Sequence, residues 1–394
     1  MAYLSVSKSE GQEVRWVDME RKDWKNLSLG RRRALFNWRK KYSPIGVELG
    51  ASQLKLVQFC RRGMQVALHC HAIIPFPDDW DLEKGKDKQE SLGRWLQKRM
   101  EEFDFIGRDV NLSINHPQVG LRTVVLPRLP SRELKKAVNW EAQKYIMGSN
   151  AEVVADYAFE RERVVEGKDS LELLLVTAPR DAVYENLKII EYAGLNLKSL
   201  EVEPLSFLRA ADALMDENDS DDAGLVVVLD LGGESSSLLL IRDGEYAFSR
   251  IFKFSVNSFC RHLAANNDLA EEDVFKKLEG EGISELSGYG DMLDEVAEVI
   301  NRSLEYYTRR FEEDLDIHKI LVAGGGSRIE GLFSCLAEKA GMDVQLFSPF
   351  SSAWGEFNSA QFDETSVAGI SEAELSCLGV AAGLAIKGWW ALEN

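Results

Sequence analysis

Apolar residues along this chain follow two different spacings. Short runs rich in Val, Ile and Leu, which are typical of strands, cluster within 45–74 and again within 225–252. Stretches in which apolar side chains recur every three or four positions, as on one face of a helix, come after each cluster. The predicted helices are 89–103 after the first cluster and 255–266, 271–278 and 292–315 after the second. This repeated order predicts an α/β chain with an internal duplication.

A smaller unit is predicted between the two halves. Ser131 suits the N-cap of a helix, because its side-chain oxygen can accept a hydrogen bond from a free backbone N–H. Strands are predicted at 155–162 and 171–177, and a second helix at 179–193. Together these elements predict a compact inserted subdomain within 127–200.

The end of the second half has two predicted features. Residues 349–371 are rich in Ser, Gly and acidic side chains, which predicts a surface loop. Residues 372–390 predict a closing helix that returns apolar side chains to the core. Their most apolar stretch, 375–385, is about half of the ~20 residues that a membrane-spanning helix needs.

Three glycine-bearing turns carry the candidate chemistry. Those within 46–55 and 229–236 each follow a predicted strand and suit tight hairpins, whose backbone N–H groups can bind an anion. The turn within 323–331 joins a predicted strand to a predicted helix, where backbone amides favour a phosphate. One such turn is more often a plain turn. Three in this order predict a two-lobed nucleotide clamp.

Two common nucleotide-binding signatures do not match. The chain has no G-x-x-x-x-G-K-[ST] sequence, so a P-loop is excluded. The first glycine turn has no G-x-G-x-x-G that opens a helix, so a dinucleotide-binding βαβ unit is excluded as well.

The composition is that of a globular protein with unevenly distributed charge. The 394 residues are 45% apolar and 28% charged, with a formal net charge of −18. Residues 1–42 hold eleven Lys or Arg and five Asp or Glu, which gives +6 for this leader and −24 for the remainder. An acidic body argues against nucleic acid as a partner, because phosphate backbones need a cationic surface. The five cysteines form no C-x-x-C pair, which favours a reducing compartment.

The basic leader has two open interpretations. Trp16, Trp24 and Trp38 lie among its cations, so one interpretation is an amphipathic helix that docks onto lipid headgroups or a partner. The other is a loosely ordered segment that contacts the acidic body through opposite charge.

The order of these elements resembles the actin-like ATPase superfamily over residues 45–394. Within that superfamily the chain is similar to the type IV pilus assembly protein PilM family. The stretches that carry this resemblance are 133–146, 193–204, 300–307 and 322–326. The implied fold is of the α/β class: a duplicated, ribonuclease H-like, two-lobed actin-like ATPase fold with an inserted subdomain like that of the cell-division protein FtsA.

The resemblance implies a division into four parts. These are a basic N-terminal extension at 1–42, a first actin-like lobe at 43–126 that continues at 201–222 and 372–394, an inserted FtsA-like subdomain at 127–200, and a second lobe at 223–371 with a helical subdomain at about 255–315.

The resemblance also implies a site for ATP and Mg²⁺. The three turns correspond to the two phosphate loops and the adenosine loop of the superfamily. The residues expected to bind the cofactor are Gly50, Ala51, Ser52, Gln53, Lys55, Asp230, Gly232, Gly233, Glu234, Ser235, Glu298, Arg302, Gly324, Gly325, Gly326 and Arg328.

Some of the charged residues have more specific expected roles. Asp230, with help from Glu48, would hold Mg²⁺ through water, since this ion favours one or two carboxylates and keeps several waters. Glu203 matches the position that orients the attacking water in active relatives, and a structural carboxylate is an equal interpretation. Glu298 and Arg302 would contact ribose and adenine, or else form a surface ion pair. Because relatives usually carry aspartate in place of Glu48, hydrolysis is expected to be slow or absent.

The expected partner is linked to the membrane. Family members capture the short N-terminal cytoplasmic tail of the inner-membrane protein PilN in a groove beside the inserted subdomain, and extended segments bind such grooves largely through main-chain hydrogen bonds. Other pilus platform or motor proteins and a homo-oligomer are left open. We expect no nucleic acid partner, a cytoplasmic location at the inner face of the membrane, and mainly indirect membrane contact.

Two other functions would fit the same fold. A small-molecule kinase of the sugar or acetate type needs a general base, for which Asp156 is the nearest candidate, although it lies within a predicted strand. A filament-forming protein like FtsA needs a terminal membrane-lying helix, for which 388–394 is too short. The preferred hypothesis is a nucleotide-binding scaffold.

Overall fold

The structure is a computed structural model. It describes residues 41–62, 65–77, 88–116, 118–145, 152–165, 167–212, 225–242, 244–311, 317–350 and 361–387. The predictions for the basic leader and for the end of the closing helix at 388–390 lie outside the described residues.

The strands are numbered in chain order. They are β1 Lys41–Tyr42, β2 Ile45–Leu49, β3 Gln53–Arg62, β4 Gln65–Pro75, β5 Asp109–Ile114, β6 Gly120–Pro127, β7 Val153–Val165, β8 Lys168–Pro179, β9 Asn196–Val202, β10 Leu225–Leu231, β11 Ser236–Arg242, β12 Glu245–Phe252, β13 Ile317–Ala323, β14 Val344–Leu346 and β15 Gln361–Phe362.

The α-helices are numbered in the same way. They are α1 Lys88–Met100, α2 Ser131–Gln143, α3 Arg180–Tyr192, α4 Glu203–Asp212, α5 Val256–Asn267, α6 Glu271–Gly280, α7 Tyr289–Phe311, α8 Leu332–Ala340, α9 Glu372–Cys377 and α10 Gly379–Ile386.

The described residues divide into two compact units, and the first lies within 77–202. It contains an antiparallel sheet in the order β6-β8-β7, with α2 packed against β7 and β8. Leu134 and Val138 of α2 share a core with Leu173 and Leu175 of β8. Strands β5 and β9 form a parallel pair, and α1 packs against α3. The helix, strand, strand, helix order expected of the inserted subdomain is present here, and its predicted boundaries stay predictions.

The second unit lies within 40–76 and 203–394 and contains two groups of strands. In the first, β2, β3 and β4 form an antiparallel meander, and β15 pairs parallel to β4. In the second, the order is β12-β11-β10-β13-β14, with antiparallel pairs from β12 to β10 and parallel pairs from β10 to β14. Each group thus contains a hairpin that bears one of the predicted glycine turns, which confirms the predicted duplication.

The helical part of the second unit packs on the second sheet. Helix α7 contributes Leu293, Val296, Ile300 and Leu304 to a core that it shares with α5, α6, α8 and the strands. Its apolar residues recur every three or four positions, so one stripe faces the core and the charged residues stay outside. The long predicted helix is therefore confirmed, and its described part ends at Phe311.

Helix α10 is buried along its whole length and packs closely on two neighbours. A β-carbon added to Gly46 of β2 would lie 1.9 Å from the carbonyl oxygen of Ala381, and one added to Gly383 would lie 2.0 Å from that of Ser206 in α4. Only glycine allows such backbone contact. The guanidinium of Arg209 donates to the carbonyl oxygen of Gly383 at 3.0 Å and ties α4 to α10.

Two details near the chain end correct the sequence prediction. The predicted surface loop at 349–371 is wrong at Phe350 and Phe362, because both are buried in one core with Phe59 and 361–362 pair with β4. The predicted single closing helix is interrupted at Leu378, which separates α9 from α10. Aromatic side chains in a Ser-rich stretch were the signal that a plain loop prediction overlooked.

Candidate functional site

Both hairpin turns are tight and have little room for a side chain at their first glycine. In the first turn the N–H of Gly50 donates to the carbonyl oxygen of Gln53 at 3.0 Å, and a β-carbon on Gly50 would lie 2.9 Å from that oxygen. In the second turn a β-carbon on Gly232 would lie 2.5 Å from the carbonyl oxygen of Ser235. The glycines are thus required by the close return of the backbone.

The two hairpin turns meet each other. A β-carbon on Gly233 would lie 2.9 Å from the hydroxyl oxygen of Ser52 and 3.6 Å from the side-chain nitrogen of Asn257. Ala51 and Ser52 are exposed at the tip of the first turn, and Glu234 is exposed in the second. The structure therefore brings two segments that are distant in sequence into one place, as predicted for a shared phosphate site.

The start of α5 holds the second turn. The N–H groups of Val256 and Asn257 donate to the carbonyl oxygens of Gly232 and Gly233 at 2.8 and 3.1 Å. Ser255 and Ser258 form a reciprocal capping box at the same helix end. Because amides of the helix satisfy the carbonyl groups, the turn has a fixed backbone conformation.

The third turn packs against the end of β10. Asp230 lies opposite Ala323 in the parallel pair of β10 and β13. Gly324 has φ 78° and ψ −169°, and a β-carbon there would lie 2.2 Å from Oδ1 of Asp230 and 2.8 Å from the carbonyl oxygen of Leu231. Such a backbone conformation is essentially restricted to glycine. The second and third turns therefore both adjoin Asp230, and the first turn meets the second at Gly233.

Helix α9 fixes the third turn from the other side. The thiol of Cys377 and the hydroxyl of Ser327 both donate to the carbonyl oxygen of Gly324, at 3.2 and 2.7 Å. Ser376 donates to the carbonyl oxygen of Val322 at 3.2 Å. The sequence does not single out these residues, since no local pattern marks a contact between the third turn and the closing helix.

Glu48 and Lys55 form a largely buried ion pair beside the first turn. They lie opposite each other in the pair of β2 and β3, and Nζ of Lys55 is 2.7 Å from Oε1 of Glu48. Burial lowers the pKa of Lys55, but its ion pair with Glu48 and the nearby carboxylate of Asp230 oppose this, and the pKa is raised overall. Lys55 therefore keeps its positive charge despite having only 13% of its side chain exposed.

The surroundings of Asp230 disfavour its negative charge, whereas those of Lys55 favour its positive charge. Burial raises its pKa, Lys55 lowers it and Glu48 raises it, and the result is a pKa of about 6. The carboxyl group is therefore partly protonated in slightly acidic solution. A cation that binds beside Asp230 would offset this desolvation.

These residues fit a nucleotide with Mg²⁺. Glu48 is only 6% exposed, and its Oε2 has no hydrogen-bond partner within the described residues, so a buried acceptor is left for a further donor. Two carboxylates beside glycine turns are also the donor set that Mg²⁺ uses together with phosphate oxygens and water. These groups are of the chemical types that a site for a metal-bound polyphosphate needs.

The remaining predicted residues lie at three other places. Glu298 and Arg302 pair with each other on the exposed face of α7, which matches the surface ion pair expected as the alternative. Arg328 pairs with Glu279 at 2.6 Å and lies over the ring of Phe275. Glu203 is the first residue of α4 and is partly buried. The nucleotide roles of these residues stay predictions.

No helix among the described residues is both long and apolar enough to cross a bilayer.

Comparison with known proteins gives a consistent family. The family described as "Type IV pilus assembly protein PilM" matches residues 46–389. A solved PilM-PilN type IV pilus biogenesis complex is 26% identical with a TM-score of 0.71, and the match covers 88% of this chain and 98% of that one.

Two other proteins are more distant. FtsA of Streptococcus pneumoniae is 21% identical over 201 residues, which cover 45% of this chain and 42% of that protein. The ethanolamine utilization protein EutJ of Carboxydothermus hydrogenoformans is 14% identical with a TM-score of 0.48, over 88% of this chain and 89% of that one. The fold is actin-like, and the family match over residues 46–389, together with the likeness to the PilM-PilN complex, shows that the chain belongs to the type IV pilus assembly protein PilM family.

Proposed function

We propose that this protein is an ATP-binding scaffold of type IV pilus assembly that captures the N-terminal cytoplasmic tail of a PilN-like inner-membrane protein. The observation that carries the nucleotide part is that the first glycine turn meets the second at Gly233 while the third packs on Asp230, just before the second turn. The partner part is supported by family membership and by the likeness to a PilM-PilN complex over 88% of this chain.

The chain's own residues would divide the work of nucleotide binding. Backbone amides of the first two turns would bind the phosphates, because the glycines allow a close approach. Asp230 would hold Mg²⁺ through water, and bound Mg²⁺ would neutralise phosphate charge. Of the third turn's glycines, Gly325 would leave room for the base beside the backbone, because a β-carbon there would meet only the carbonyl oxygen of Leu231, at 3.9 Å.

The nucleotide site and the tail-binding site would be coupled if ATP favoured the conformation that captures the tail. A nucleotide controls tail capture only when it binds the capturing arrangement more tightly than the other, and the tail must then raise nucleotide affinity by the same factor. Such coupling needs binding and not hydrolysis, so a scaffold with slow or no turnover would still respond to ATP.

The test measures both binding events in one variant. We expect Asp230→Asn to lose ATP retention and to weaken capture of a synthetic PilN-like tail peptide, with nucleotide measured by chromatography after denaturation and the peptide by calorimetry. The matched control is Asp169→Asn, an exposed aspartate on β8. Unchanged nucleotide content in Asp230→Asn would refute the site. Lost nucleotide with unchanged peptide affinity would refute the coupling alone.

A further inference from the structure

Helix α2 of the first unit is held to its sheet by one side only. Leu134, Val138 and Ala142 recur every four positions and are 1–2% exposed in the core that α2 shares with β7 and β8. This spacing places them on one stripe of the helix. Residues two positions further along, such as Lys136 and Trp140, therefore lie on the opposite side, which faces outward.

Trp140 is the large apolar side chain on this outward side. It is 64% exposed, although tryptophan is highly buried on average. The Nζ atom of Lys144 lies 4.0 Å from the centre of its ring, which is a cation–π contact. Nearby in sequence, the guanidinium of Arg122 lies 4.5 Å from the centre of the Tyr145 ring. Two aromatic rings, each covered by a cation, thus lie at the C-terminal end of α2.

Cations outnumber carboxylates on and around this helix. The charged residues of 131–145 are Arg132, Glu133, Lys135, Lys136, Glu141 and Lys144. Glu141 is paired with Lys144 at 2.7 Å and is only 14% exposed. Arg132 and Lys136 are exposed one turn apart, and neither has an ion-pair partner among the described residues. This local excess of positive charge contrasts with the formal net charge of −18 for the whole chain.

The combination of cations and an exposed indole suits an anionic bilayer. Lys and Arg side chains are attracted to anionic headgroups, and tryptophan is enriched at the level of the headgroups because its ring is apolar and its N–H is polar. An extended acidic peptide would be a poorer fit. Such peptides bind largely through main-chain hydrogen bonds, and the backbone groups inside a helix are already used within it.

We propose that the outer face of α2, formed by Arg132, Lys136, Trp140 and Lys144, binds the anionic headgroups of a bilayer directly, with Trp140 as its apolar anchor. Salt screens charges that are more than about 10 Å away, so the local positive charge decides the attraction and the net charge of the chain matters less. The contact is weak by itself, since each cation contributes about fivefold in affinity. It would strengthen attachment through a partner's tail, because two linked contacts bind more tightly than either alone.

The test is co-sedimentation of the full chain with vesicles, without nucleotide or tail peptide. The vesicles contain either phosphatidylcholine alone or an equal mixture of phosphatidylcholine and phosphatidylglycerol. We expect the wild type to bind the anionic vesicles and added salt to release it. The double variant Arg132→Gln, Lys136→Gln should lose about 25-fold in affinity for them. The matched control is Arg261→Gln, Lys276→Gln, because these exposed cations lie on α5 and α6 and the change in net charge is the same.

A second measurement reports on the anchor. Tryptophan emission of the wild type should shift to shorter wavelength on anionic vesicles, since the indole enters a less polar region. Trp140→Phe keeps an apolar ring but should show a smaller shift, and equal shifts would refute the role of Trp140. All the substituted side chains are exposed, so each variant should keep the thermal unfolding midpoint of the wild type.

Three further results would overturn the inference. One is equal binding of the wild type to anionic and neutral vesicles. Another is an equal effect of the α2 and control variants, or a loss only in Arg31→Gln, Arg33→Gln, which would assign lipid binding to the basic leader. The third is binding of the wild type to poly-glutamate and not to anionic vesicles, which would indicate an acidic protein partner. Since no arm contains ATP or a tail, these outcomes are distinct from a failure of the proposed function.

Discussion

Gly324 offers a direct test of how closely the third turn packs on Asp230. Replacing it with alanine adds one β-carbon, which would lie 2.2 Å from Oδ1 of Asp230. Gly282 is a matched control, because its φ of 94° and ψ of 167° lie in the same glycine-only region. A β-carbon there would meet its nearest atom, Cγ of Glu330, at an ordinary 3.4 Å.

The difference between the two variants isolates the crowding. Both alanines incur the backbone penalty of about 1–3 kcal/mol for that region. Gly324→Ala also forces Asp230 or the backbone of Leu231 to move, which adds about 1–3 kcal/mol by comparison with overpacked cores. We therefore expect Gly324→Ala to lower the free energy of unfolding by about 2–6 kcal/mol and Gly282→Ala by about half as much.

Urea unfolding without nucleotide measures this difference as a shift in midpoint at constant slope. In an Asp230→Ala background the penalty of Gly324→Ala should shrink, because the closest clashing atom is gone, and this coupling is read from a double-mutant cycle. Equal midpoints for Gly324→Ala and Gly282→Ala, or no coupling to Asp230, would show that the turn is looser than the structure indicates.

Three further predictions concern stability. Because the pKa of Asp230 is raised to about 6, the folded chain binds more protons there than the unfolded chain, so its stability should fall as pH rises from about 4 through 6. Asp230→Asn should flatten this pH dependence, and above pH 6 its free energy of unfolding should exceed that of the wild type by up to about 3 kcal/mol. The partial exposure of the carboxyl group reduces this gain. Urea unfolding at several pH values measures it. Gly383→Ala should lower the free energy of unfolding by about 1–3 kcal/mol or more, since its β-carbon would meet the backbone of Ser206. The control Gly280→Ala, whose β-carbon would have no neighbour within 4 Å, should be neutral or slightly stabilising in thermal unfolding. Phe350→Ala should lower the free energy of unfolding by about 3–5 kcal/mol. A decrease below about 1 kcal/mol in urea unfolding would contradict the burial of Phe350 in the core.

Local signals made the hairpins and helices predictable. Alternating and β-branched runs gave β2 to β4 and β10 to β12, and glycines marked the turns between them. The periodicity of α7 was long enough to predict its type and approximate length. These features depend only on residues that are close in sequence, so they can be recognised from one sequence without an alignment.

Contacts between distant segments could not be read in the same way. The approach of Gly233 to Ser52 and the thiol of Cys377 on Gly324 depend on how the strands and helices pack, and no local pattern reports this. The resemblance to a family supplied the expectation that the turns converge. It did not show that one carboxylate oxygen of Glu48 would accept a hydrogen bond from Lys55.

The close packing of α10 links the ends of the candidate site. Its neighbour α9 carries Cys377, which holds the third turn, and α10 itself touches Gly46 on β2, two residues before Glu48. Side chains at such contacts can normally change rotamer and absorb a small shift, but backbone against backbone has no such slack. We therefore expect this short helix to transmit a displacement of the third turn to the strand that carries the first turn.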